Sequence, residues 1–329
     1  MTALITGATG FIGSHLAEML HAKGISVRAL VRPTSDRKWI EHLPIDYVVA
    51  SMDDPVALEE AVKDVDYIYH LAGVVAAKNR AGFFRGNVDA TKNLLIATAK
   101  VNPGLKRFLH GSSLAAVGPS RSEESPVTEE EARRPITTYG ESKAAAEEIV
   151  EEYSTRIATT IIRPPAVYGP RDIGILTFFQ VAARGIAPLI GFDRKVLSLV
   201  HVRDLVRGIV QAAESERSVG NAYFIGSNAL YTWEEIGETA ARELGKKKPR
   251  YIRVPHSLVF AVAGMNGWLG KFMKKPPILD REKGRDITQR YWTCSVERAH
   301  RDFGYRQEVS IEEGVAETIE WYRRIGWIR

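Results

Sequence analysis

Cysteine is almost absent from this chain: Cys294 is the single one in 329 residues. An internal disulfide is therefore excluded, and a reducing, cytoplasmic setting is expected. Long apolar runs are missing too. The most apolar stretch, residues 257–270, falls short of the roughly 20 residues a bilayer span needs, so it is expected as a core or lid helix. The N-terminus passes from Met1 into Thr2-Ala3-Leu4-Ile5-Thr6-Gly7 without the charged segment, apolar stretch and cleavage site of a secretory signal, which predicts the same compartment. Charge of one sign is scarce. A net charge of +5, with Lys246-Lys247-Lys248 as the longest basic run, is too diffuse for a nucleic-acid partner and suits a small anionic ligand. No repeat or low-complexity tract is found, and no metal site is assigned.

What is present is an ordinary globular composition, 45% hydrophobic and 26% charged, so a folded core is expected over most of the length. Residues 3–6, 26–31, 47–49, 67–71, 107–111 and 159–162 read as strands. Residues 11–22, 55–62, 84–100 and 139–153 read as the helices between them. Such alternation predicts βαβ units: an α/β fold with a doubly wound parallel sheet, covered on both faces and crossed over right-handed. After Pro164 the pattern loosens. Helices at 201–213, 232–244, 254–272 and 311–324 mix with short strands at 222–225 and 251–254, and the 164–174 and Pro276-Pro277 stretches read as connections. A dinucleotide-binding domain at 1–165, rejoined by the chain near 195–225, and a smaller mixed α/β substrate lobe over 166–329 are expected.

Glycines fall at 7, 10 and 13 in Thr6-Gly7-Ala8-Thr9-Gly10-Phe11-Ile12-Gly13, between the first strand and the first helix. The first permits a tight turn. The second lets backbone approach a pyrophosphate, and the third lets the helix sit close to the sheet. The helix start offers free N–H groups and the positive end of its dipole to phosphate. This Gly-x-x-Gly-x-x-Gly spacing, placed strand-to-helix, predicts a Rossmann-type dinucleotide site that includes Thr9, Phe11 and Ile12.

The segment resembles the extended branch of the short-chain dehydrogenase/reductase superfamily, also called the NAD-dependent epimerase/dehydratase family. The likeness continues through His70-Leu71-Ala72-Gly73, Asn87-Val88-x-x-Thr91-x-Asn93, Ser112-Ser113, Tyr139-Gly140-x-Ser142-Lys143, Arg163-Pro164-x-x-Val167-Tyr168-Gly169-Pro170 and His201-Val202-x-Asp204-Leu205. The resemblance implies that Leu71, Ala72 and Gly73 pass under the cofactor with Ser112 nearby. It implies also that Asn87 supports the active site, and that Pro164 and Val167 line the nicotinamide.

In NAD-specific sites an acidic residue ends the second strand and accepts from the ribose hydroxyls. The aligned position here is Val31, followed by Arg32. Valine cannot accept those bonds, whereas arginine can hold a ribose phosphate. NADP is therefore the expected cofactor, with NAD open as the alternative. Ser51 and Met52 stand where the family often has Asp-Leu against adenine.

Tyr139 and Lys143 are four apart at a helix start and share a face. Proton transfer at a carbonyl oxygen needs an acid or base beside it. A tyrosine titrating near 10 becomes usable when an ammonium favours its phenolate. Ser113 is expected to hydrogen-bond the substrate oxygen.

In the second lobe, the arginine that UDP-sugar epimerases of this family use on the diphosphate aligns with Leu197, and a second one aligns with Gly284. Dehydratases need acidic residues after the catalytic serine, where Leu114-Ala115 stand. What remains resembles the dihydroflavonol reductase and 3β-hydroxysteroid dehydrogenase subgroups. That implies a ketone reductase or secondary-alcohol dehydrogenase acting on an apolar small molecule. Val75, Ser113, Pro165, Phe178, Leu199 and His201 are the expected substrate residues, with Arg171 as polar anchor and residues 258–269 as a further apolar wall. A nucleotide-sugar epimerase and a non-catalytic dinucleotide-binding scaffold are the rivals. The resemblance also implies a homodimer through the 84–100 and 139–153 helices. Leu94, Ala97, Ala145 and Ile149 face either the mate or the protein's own sheet.

Overall fold

The computed structural model describes residues 1–270 and 279–328, with side chains for 1–266 and 279–328. Pro276-Pro277, Phe272 at the end of the expected 254–272 helix, and the side chain of Leu269 lie outside the described residues. Seven parallel strands form the main sheet. They are β1 (Thr2–Thr6), β2 (Ser26–Val31), β3 (Asp46–Val49), β4 (Tyr67–His70), β5 (Arg107–Gly111), β6 (Thr159–Arg163) and, after an excursion, β10 (Asn221–Phe224). Their spatial order is 3-2-1-4-5-6-10. The order reverses between β1 and β4, so the crevice at their carboxyl ends is where a ligand of such a sheet binds.

Strand periodicity sends successive side chains to opposite faces. Ala3, Ile5, Ala29, Tyr69, Leu109 and Ile162 pack with α1 (Phe11–Ala22) and α7 (Val202–Glu214). Leu4, Leu30, Ile68, Phe108 and Ile161 pack on the other face. There they meet α2 (Pro55–Val62), α4 (Ala90–Val101) and α5 (Thr138–Tyr153). With Leu4 and Phe108 at 0% exposure, truncating either to alanine costs about 2–5 kcal/mol.

The expected helix over 84–100 is longer and less regular. It starts as α3 (Arg80–Phe84), capped by the Asn79 side chain on Gly82 N–H. It then widens to a π-helical turn over Arg85–Asp89 before α4. Leu94 and Ala97 belong to the protein's own core. Of the two readings, mate or own sheet, the second holds for them; in α4 Ile96 and Val101 stand outward, 45% and 36% exposed.

The remaining chain builds the second lobe. β7 (Ala166–Tyr168), β9 (Val196–His201), β11 (Leu230–Thr232) and β13 (Tyr291–Trp292) form one small sheet, and β8 (Ile186–Ile190) pairs with β12 (Arg250–Val254). Around them lie α6 (Leu176–Ala182), α8 (Trp233–Glu243), α9 (His256–Gly270), α10 (Arg281–Thr288), α11 (Glu297–Phe303) and α12 (Ile311–Arg324). α8 and α12 each start with a capping box, Thr232 with Glu235 and Ser310 with Glu313, which satisfies two orphan backbone donors at each end.

Candidate active site

The β1–α1 loop is built for close approach. Gly7 has φ of +78°, and a Cβ there would meet Ala72 N at 2.8 Å; one on Gly13 would meet Gly7 O at 2.2 Å. Only glycine permits the β4 end to cross so near the turn. Gly10 caps α1 with no side-chain hydrogen bond to the first helical N–H groups, so Phe11 and Ile12 are left able to face phosphate. These features fit a dinucleotide.

Beside the loop, Arg32 is exposed and its guanidinium has no ion-pair partner among the described residues. Arg37 stacks over Tyr47 at 4.3 Å and Lys38 pairs with Asp36 at 3.3 Å. Ser51 Oγ accepts from Asp53 N–H at 3.2 Å, and the Met52 carbonyl accepts from Asn93 Nδ2 at 3.0 Å. Asn93 thus fixes the loop that lies where adenine is expected.

A hydrogen-bond chain runs from the glycine loop to the catalytic helix. Thr91 Oγ1 donates to the Asn87 carbonyl at 2.6 Å, so it must accept from His70 Nε2 at 2.9 Å. His70 Nδ1 then accepts from Thr6 Oγ1 at 2.7 Å, while Thr6 Oγ1 accepts from Ala72 N–H at 3.2 Å. This fixes the Nε2–H tautomer. Burial, followed by the charge of Lys143, holds His70 down to about 3, so it stays neutral. The π-helical turn aims Asn87 inward, and the pattern is a frequent one at functional sites. Its Oδ1 accepts from Val74 N–H at 2.7 Å, and its Nδ2 donates to Val74 O at 3.0 Å and to Ser142 Oγ at 2.8 Å.

Ser113 ends the segment after β5. Its Oγ caps a 3-10 turn through Ala115 N–H at 3.1 Å, and Leu114 N–H donates to Pro164 O at 2.9 Å. A Cβ on Gly140 would meet Ala115 O at 2.3 Å. The glycine after Tyr139 therefore lets α5 lie on this turn, which sets Tyr139 beside Ser113. Lys143 is 5% exposed, and its Nζ donates to Gly111 O at 2.7 Å. Desolvation pulls it down to about 8 against the opposing pull of Glu147. Tyr139 is raised above its ordinary value by desolvation, with Ser113 opposing and the Asp286 charge adding to the rise. The lowering expected from Lys143 is absent here: desolvation dominates, and Ser113 is what opposes it.

Glu147, one turn beyond Lys143, is 0% exposed and carries three arginine bonds: Arg163 Nε at 2.9 Å, Arg163 Nη2 at 2.8 Å and Arg133 Nε at 2.6 Å. Desolvation would raise it, but Arg163 prevails and it remains a carboxylate. At the other end of α5, Glu282 from α10 accepts from Thr138 N–H at 2.9 Å and from Thr138 Oγ1 at 2.5 Å. This clamp ties the second lobe to the residue before Tyr139. Phe83 stands against Tyr139 with ring centroids 6.4 Å apart.

The expected substrate residues separate. Val75 is 76% exposed on the loop after β4. Pro165 is buried near Gly226, while Pro164 and Val167 are half-buried. Phe178 packs on Trp233 at 5.1 Å. Leu199 and His201 are both 2% exposed; Leu199 belongs to the second lobe's core and His201 lies edge-on to Tyr168 at 5.2 Å. These two are corrected from cleft-facing to core residues. Arg171 is corrected as well: its guanidinium donates to Ser14 Oγ at 3.0 Å and to Glu18 at 2.5 Å, so it anchors its loop to α1. Leu258 and Met265 are 53% and 56% exposed and point away from a closed wall. The sequence reading missed Phe83, His70, Glu147 and Glu282. The motif residues His70 and Ser142 carried a signal; Glu282, 144 positions from its partner, carried none.

A family model described as the NAD dependent epimerase/dehydratase family matches residues 3–226. A ceramide reductase of Caulobacter vibrioides is 31% identical, over 98% of this chain and 95% of its own length. A 3-beta-hydroxysteroid dehydrogenase of Mycolicibacterium neoaurum is 28% identical, over 97% and 90%. The dTDP-glucose 4,6-dehydratase DesIV from Streptomyces venezuelae, solved with NAD and TYD bound, is 26% identical with a TM-score of 0.81, over 100% of this chain and 99% of that one.

Proposed function

The chain belongs to the NAD dependent epimerase/dehydratase family and is an NAD(P)-dependent enzyme of the extended short-chain dehydrogenase/reductase type, and from that premise we propose that it reduces a ketone on a largely apolar small molecule, with NADP as its cofactor. The bound nicotinamide supplies the hydride. Tyr139, held protonated by its burial, gives its proton to the carbonyl oxygen as that oxygen takes up negative charge. Ser113 donates a hydrogen bond to the same oxygen. Lys143, one turn along α5 with its Nζ on Gly111 O, would hold the cofactor ribose when the cofactor is bound. Arg32 meets the ribose phosphate.

The observation that carries the substrate class is the fate of the cations. A diphosphate in a closed cleft needs cations, because burying its charge unpaired is costly. Leu197 is in the second lobe's core and Gly284 packs against Phe260. Arg171 is taken by Glu18, and Arg203 by Glu317 at 3.0 Å. Phe83 beside Tyr139 adds an apolar wall. The names of the ceramide and steroid relatives agree with an apolar substrate. Arg285, exposed and without an ion-pair partner among the described residues, favours the epimerase as the second reading.

The test is a screen of hydrophobic ketones and alcohols followed by nicotinamide absorbance with both cofactors, beside calorimetry with UDP, UDP-glucose and UDP-galactose in the presence of NADP. Turnover of an apolar ketone without UDP binding is expected. Micromolar UDP binding puts the epimerase first. The assembly we propose is a homodimer through the outer faces of α4 and α5; a monomeric mass in light scattering refutes it.

A further inference from the structure

We propose that the outer face of α9 docks on an anionic lipid surface and presents the active-site mouth to it. This rests on the reading of the substrate as apolar. From Ser257 to Asn266 the helix carries no charged residue. Val259 and Ala263, four apart, are 3% and 0% exposed and form the inner face, where Ala263 and Phe260 meet Gly284 of α10. The opposite stripe is Leu258, Ala261 and Met265, at positions i, i+3 and i+7, and all three are exposed. A water-facing helix face in a globular protein is normally polar, and a contiguous apolar one marks a binding surface.

Charge and position select the occupant. Arg281, in the first turn of α10, lies 4.0 Å from where a Cβ on Gly264 would sit. Arg253, just before the helix, is paired with Glu234 at 3.4 Å and reaches Gly191 O at 3.5 Å beside Phe192, which is 70% exposed. Arg281 and Arg285, on the helix that packs against α9, have no ion-pair partner among the described residues. Of the neighbouring acids, Asp193 pairs with Arg290 and Lys195 and Asp286 with Lys283, while Asp280 and Glu282 accept from the Lys283 N–H and from Thr138 and keep their charge. An apolar stripe flanked by unspent cations is complementary to anionic headgroups over acyl chains. At 15 residues α9 lies in such an interface; no helix among the described residues is long and apolar enough to cross it. The Glu282–Thr138 clamp fixes α10, and α9 on top of it, beside Tyr139. An apolar substrate then passes from the bilayer to the cleft without crossing water.

Co-sedimentation with vesicles of phosphatidylcholine, alone or mixed with phosphatidylglycerol, tests this together with the double variant L258E/M265E. Both positions are exposed, so the fold is retained, which circular dichroism checks. The expected result is binding to the anionic vesicles that weakens with salt and falls about tenfold in the variant. Turnover of a vesicle-borne long-chain ketone should fall in parallel, while turnover of a water-soluble ketone stays within about twofold. Absence of wild-type binding overturns the proposal, and so does equal loss on both substrates. A wild-type dimer that the variant converts to monomer, without vesicle binding, also overturns it and assigns the face to a second copy. Vesicle binding by a protein that reduces no ketone leaves the docking intact and refutes the substrate reading instead.

Discussion

Lys143→Met should make the protein more stable and inactive. Burial brings the Lys143 ammonium from 10.5 to about 8. At about 1.4 kcal/mol for each tenfold change, that is about 3 kcal/mol of cost carried by the folded state. Methionine fills a similar volume without charge. It leaves Gly111 O without its 2.7 Å donor, which returns about 1 kcal/mol, so a net gain of about 2 kcal/mol is expected. The gain depends on pH. Lys143 binds its proton less tightly folded than unfolded, so between pH 8 and pH 10.5 the unfolded chain holds more protons and wild-type stability rises with pH. Below pH 8 both states are protonated and the full cost is present. The variant's advantage should therefore be complete at pH 7 and mostly gone by pH 10. Urea unfolding of the cofactor-free protein, followed by tryptophan fluorescence at both values, measures it. A variant no more stable than wild type at pH 7, or a gain that persists unchanged at pH 10, would refute the idea that this lysine is held charged against its burial.

Tyr139→Phe should lose nearly all turnover with almost unchanged cofactor affinity, because only the proton donor is removed; near-normal turnover would overturn the assignment. Arg32→Ala should weaken NADP far more than NAD in a titration, since the phosphate is on NADP alone, and equal losses would show that Arg32 does not read it. Glu282→Ala frees α10 from Thr138, so KM should rise several-fold while the unfolding midpoint moves little; an unchanged KM would mean that the clamp has no part in forming the cleft. Arg163→Met leaves Glu147 buried with only Arg133 beside it, and a loss of about 3–5 kcal/mol is expected in urea unfolding; a loss under 1 kcal/mol would place the ion pair among structural ornaments.

Local constraints were legible in the chain itself. Glycines at 7, 10 and 13 state where backbone must approach backbone, and Gly7 indeed sits at positive φ with Ala72 against it. Alternating apolar strands and helices implied a parallel sheet with two buried faces; the order 3-2-1-4-5-6, in which the β3–β4 connection passes back over β2 and β1, was not among those expectations. The four-residue spacing of Tyr139 and Lys143 placed them on one face because a helix turns every 3.6 residues. Short strands such as β7 and β13, at three and two residues, carry too little periodicity to read and exist only because β9 lies beside them.

What the tertiary structure alone decided are partnerships between distant positions. Arg171 reads as a cleft residue until Glu18, 153 positions away, takes it. Leu94 and Ala97 face inward because α2 and the sheet are there to cover them. His70 is neutral because it is buried, and it donates from Nε2 because Thr91 spends its own proton on Asn87; Tyr139 is held protonated because burial outweighs the opposing pull of Ser113. Sequence spacing encodes what the backbone can do within a turn or two. Which charge is paired, which face is wet and which proton stays on depend on desolvation and on groups brought together from far along the chain, and those are fixed only when the chain has closed on itself.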